Sequence, residues 1–143
     1  MLASKGLGTV LRLWLVIATV LPVLAVAAEC SDGCMVDSRD GHFRLTLTPV
    51  PGDVPLRVHH DWFVDVHTAD GQPVELDGLT VSGGMPGHGH GLPSQPRAEQ
   101  YLGNGRYRVS GFLFNMHGEW NLRFQLVKGS IQDIAETTLA LDF

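Results

Sequence analysis

Basic side chains are scarce in this chain, with ten Lys and Arg against fifteen Asp and Glu and a formal net charge of −5. Nucleic-acid binding leans on Lys and Arg neutralising phosphates, so this balance argues against a nucleic-acid partner. Catalytic signatures are missing as well. There is no H-E-x-x-H pair, no nucleophile-elbow serine and no carboxylate pair spaced for acid–base work. The expectation is a protein that is not an enzyme. Helical periodicity is absent after residue 28, and the two cysteines, Cys30 and Cys34, sit close together near the start.

The single long apolar run lies at the N-terminus. Lys5 and Arg12 lead into Leu13–Leu24, and Ala25-Val26-Ala27-Ala28 follows. A positive start, an apolar stretch and small residues at the exit describe a secretory signal peptide over residues 1–28. An uncleaved anchor in the inner membrane is the alternative, because the run approaches spanning length. Pro22 and the alanine-rich exit favour cleavage, which leaves one domain's length of chain in a periplasmic or secreted setting. Membrane contact is expected only if residues 1–28 are retained. In an oxidising compartment, Cys30 and Cys34 read as a local disulfide in a Cys-containing segment, residues 29–41. A thiolate pair able to take soft metal or to exchange disulfides is the other reading.

From His42 to Phe143 the pattern is that of strands. Phe43, Leu45 and Leu47 alternate with polar residues up to Pro49, and Trp120, Leu122, Phe124 and Leu126 alternate nearly without fault. Asp70-Gly71-Gln72-Pro73 and Gly103-Asn104-Gly105 mark turns. Roughly six to eight short strands without helices mean an all-β sandwich or small barrel, and Tyr107 at the start of a strand favours the sandwich. The expected core is Leu45, Leu47, Val109, Trp120, Leu122 and Phe124, with Trp62 less certain among polar neighbours.

Gly83 to Pro93 interrupts this pattern with five glycines, two prolines, two histidines, one methionine and no charge. Such a stretch is a shaped loop rather than a helix or central strand. His88 and His90, two apart, leave an extended backbone on one face and can reach one ion. Met85 adds a thioether, and thioether plus imidazole suits copper better than calcium or magnesium. Met116-His117, in a later turn, repeats that chemistry. Met85, His88, His90, Met116 and His117 are therefore the candidate ligands if the two turns share one end of the sandwich. Sulfur favours Cu(I) over Cu(II). His59 and His60 are weaker evidence, since neighbours in a strand point to opposite faces and cannot serve one ion together; His60 or His67 reads rather as a buried, hydrogen-bonded residue, and His42, just before a strand, as solvated.

These segments resemble the YtkA-like/FixH-like family of exported domains. The resemblance rests on Asp70-Gly71-Gln72-Pro73, Gly84-Met85-Pro86-Gly87-His88-Gly89-His90-Gly91-Leu92, Gly105-Arg106-Tyr107 and Met116-His117-Gly118-Glu119-Trp120, within residues 56–142. It implies an immunoglobulin-like antiparallel β-sandwich of about seven strands, on the outer side of a bacterial cytoplasmic membrane. It also implies copper-handling or oxidase-assembly settings, with a membrane-bound oxidase or another copper protein as partner. A FixH-type protein keeps its membrane helix, whereas residues 1–28 here look cleavable. The functional expectation is a copper-binding module that acts as carrier or assembly factor. The alternative is an envelope interaction domain that uses the Gly/Pro loop without metal.

Overall fold

The computed structural model describes residues 33–141. The expected leader, residues 1–28, and Cys30 with its proposed pairing lie outside the described residues. Among the described residues no helix is long and apolar enough to cross a membrane.

Period-two alternation produces the strands, which are β1 (Cys34–Asp37), β2 (Phe43–Val50), β3 (His60–Thr68), β4 (Gly78–Met85), β5 (His90–Gly91), β6 (Arg97–Gly103), β7 (Arg106–Phe112), β8 (Gly118–Lys128) and β9 (Ile131–Leu141). They pair antiparallel in the order β1-β2-β3-β7-β6-β4-β8-β9, with β5 folded back on β4. The sheet is nearly closed into a barrel-like sandwich. Ser38 bridges Ala135, and the Arg39 N–H donates to the Ile134 carbonyl at 2.7 Å. One junction is thin, because β4 meets β6 through the single pair Thr80 and Arg97. The Cys-containing segment contributes β1 to this sheet, and Cys34 is buried there.

The expected core residues Leu45, Leu47, Val109, Trp120, Leu122 and Phe124 are all fully buried. Trp62 is buried too, despite polar neighbours, because β3 alternates faithfully: Trp62, Val64 and Val66 face in. Asp61 and Asp65 face out, where Arg108 and Arg106 reach them at 2.8 Å and 2.6 Å. Such solvated pairs contribute at most about 1 kcal/mol each, so burial dominates the energetics. Tyr107 is buried as a corner residue. Its phenol oxygen accepts the Leu76 N–H, a bond that ties the segment before β4 to β7. Its partner thus comes from a distant segment rather than from its own corner.

At one end of the barrel, the turn from Ser38 to His42 closes over Asp133. The Asp133 carboxylate is buried and accepts from the Ser38 hydroxyl at 2.6 Å, the Asp40 N–H at 3.1 Å and the Ile134 N–H at 2.7 Å. His42 is exposed yet places Nδ1 3.1 Å from the same carboxylate. Burial alone raises the Asp133 pKa, but these donors outweigh it and hold the carboxyl far below the ordinary value.

Phe124→Ala should cost about 3–5 kcal/mol in urea unfolding, from lost transfer energy and the cavity left behind. Asp133 has a depressed folded-state pKa, so its stabilisation is present above the unfolded value and is lost as pH falls below about 4. Asp133→Asn should therefore be less stable than wild type at pH 7. Its acid limb should be flatter in thermal melts; a limb as steep as that of wild type would reject this role.

Candidate metal centre

Strand register places the Met/His turns together. Gly84 pairs with Asn121 and Gly83 with Leu122, so the end of β4 lies beside the start of β8. Both glycines are required by close approach. A Cβ at Gly83 would stand 2.6 Å from the Asn121 carbonyl, and one at Gly84 2.6 Å from the His90 carbonyl. The chain then makes a short 3-10 turn, Pro86–His88, closed by Gly89 in the left-handed region at φ 69°, and returns as β5. The Gly89 N–H donates to the Met85 carbonyl at 3.0 Å, and the Leu92 N–H to the Gly83 carbonyl at 2.9 Å.

His88 and His90 are exposed, with ring centroids 5.9 Å apart and planes at 47°. They are neighbours as expected, but through a tight turn rather than an extended backbone. Met85, by contrast, is a core residue at 1% exposure, and its Cε lies where a Cβ on Gly118 would stand at 2.8 Å. It borders two surface clefts. One, of about 550 Å³, also has His88 and Glu119 on its wall, and the other, of about 360 Å³, has His90.

Met116 is half-buried against the core, and its carbonyl accepts the Trp120 Nε1–H at 3.1 Å. His117 is exposed and directly precedes Gly118. The Trp120 ring meets His90 edge-on at 6.1 Å and Phe114 at 5.3 Å. The two turns therefore occupy one end of the barrel, around Gly118 and Trp120. Between them they carry two thioethers and three imidazoles.

Further histidines lie at this end. β3 starts at His60, paired with Phe112 at the end of β7. The Arg57 N–H donates to the Phe114 carbonyl at 2.7 Å, tying the loop before β3 to the turn before β8. His59 and His60 thus belong to the same end, and five of the chain's seven histidines gather there. Glu119, on the wall of the larger cleft, carried no signal beyond its place beside Gly118.

Among the described residues, one trio of His and carboxylate side chains has its ligand atoms within 4.8 Å: Asp40, His42 and Asp133. It lies at the opposite end, and its buried carboxylate is saturated by the turn it closes.

No curated protein and no solved structure matches the chain. The YtkA-like family model matches residues 35–125, from β1 into β8, and takes in both Met/His turns. That match spans more than half of the sequence, and the chain belongs to the YtkA-like family.

Proposed function

We propose that this protein is an exported copper-binding module, a carrier or oxidase-assembly factor rather than an enzyme. It holds Cu(I) in preference to Cu(II), with Met85, His88, His90, Met116 and His117 as the ligand pool. The observation that carries the reading is the meeting of two separate Met/His turns at one end of the barrel, about Gly118 and Trp120. Thioether and imidazole donors together suit a soft monovalent cation. The two turns stand on strands locked by the β4–β8 ladder, so donor positions are held by the scaffold rather than by the loops alone. A module of this kind would hand its ion to a membrane-bound oxidase or to another copper protein, from the exposed imidazoles at the rim.

The burial of Met85 governs how the site should be tested. Alanine there would open a core cavity, whereas leucine conserves volume and removes only the sulfur. The purified protein should take about one equivalent of Cu(I) in competition with a chromogenic chelator. The Met85→Leu/His88→Ala/His90→Ala variant should lose that binding while melting near the wild-type temperature; equal binding by both proteins would reject the assignment. Binding should also weaken in acid, where protons compete with the metal for imidazole nitrogen.

Gly118→Ala offers a subtler check. Gly118 has φ 120°, which disfavours any side chain, and the new methyl would displace Met85 Cε. Cu(I) affinity should drop in this variant although every donor atom is kept. Unchanged affinity would mean that Met85 is core filling alone.

A further inference from the structure

The turn that carries Met116 and His117 has no ladder of its own. β7 ends at Phe112 and β8 begins at Gly118, so the residues between them lie outside both strands. Their carbonyls must find donors elsewhere. Three successive ones do. Phe114 accepts the Arg57 N–H at 2.7 Å, Asn115 the Arg57 Nε–H at 3.2 Å and Met116 the Trp120 Nε1–H at 3.1 Å. Two of these three donors belong to Arg57, which grips the turn with backbone and side chain at once.

Arg57 does so from a strained conformation. Its φ is 59°, in the left-handed region. Among the described residues the other non-glycine with positive φ is Asn104, at 49° in the Gly103-Asn104-Gly105 turn, and asparagine tolerates that region. Arginine does not, and glycine would serve the backbone there without strain. Strained residues persist where their surroundings over-determine them, and they cluster at functional sites. Here Val54 is buried, Leu56 packs on the core and bridges Phe114 in parallel register, and His60 is buried on the other side. Arg57 itself is exposed, so core packing does not account for its side chain. What the guanidinium adds is reach, as a charged donor on the carbonyl next to the one its own N–H holds.

We infer that Arg57 is the positioning residue for the Met116–His117 half of the site, fixing the backbone that carries the second thioether and the third imidazole. Its effect on binding rests on the copper reading; its effect on the turn does not.

Arg57→Gly accepts φ 59° and keeps the backbone bond to Phe114, removing only the guanidinium. The full chain with this change should melt near the wild-type temperature, while the amides of residues 115–118 exchange with solvent faster. With Cu(I) as the probe in chelator competition, affinity should fall about tenfold. Placed on Met116→Leu/His117→Ala, the same change should lower Cu(I) affinity no further, because the donors it positions are already gone. An equal loss in both backgrounds would make Arg57 a general prop and overturn the assignment. Unchanged exchange at residues 115–118, or unchanged affinity in a chain that binds Cu(I), would overturn it too. Absence of Cu(I) binding by the wild type would instead defeat the copper reading, and the exchange rates would then decide whether Arg57 holds the turn.

Discussion

The close approach of β4 to β8 is the constraint on which the Met/His end of this protein depends. Gly83 and Gly84 have no side chain to hold the Asn121 and His90 carbonyls away, so three strand segments stack within backbone contact. Any larger residue at either position would push the β4–β5 return outward, and the imidazoles with it. The glycines of the loop are thus not one class. Those at Gly83 and Gly84 serve proximity, whereas Gly89 serves the reversal of the chain.

Around that contact the core and the surface chemistry are physically continuous. His90 meets Trp120, Trp120 meets Phe114, and Phe114 meets His60 and Trp62. The rings that close this end of the barrel therefore link the loop histidines to the buried one. Met85 belongs to both worlds, filling the core with its methyl while bordering two clefts. A flexible, polarisable side chain suits that double duty.

Much of the scaffold was legible in the sequence. The alternation from Trp120 to Leu126 identified β8 and its buried face, and Gly103-Asn104-Gly105 marked the β6–β7 turn because both have local causes. The juxtaposition of the two turns was readable only as a condition, since strand register is long-range. Burial of Met85 was invisible, because a thioether among glycines and prolines looks exposed until Gly118 is seen above it. The reading of His60 as a buried, hydrogen-bonded residue holds, with its Nδ1 3.0 Å from the Val58 carbonyl. Closure through Ser38 and Ala135 joins residues nearly a hundred apart, and no short pattern encodes it.

The thin junction between β4 and β6 has a mechanical meaning. With Thr80 and Arg97 as its single rung, the wall can hinge along that line while the long β8–β9 and β4–β8 ladders stay intact. The strand that ends in Met85 is therefore anchored firmly on one flank and loosely on the other. Compliance is concentrated beside the end that carries the two Met/His turns, so that flank can swing slightly without melting the barrel.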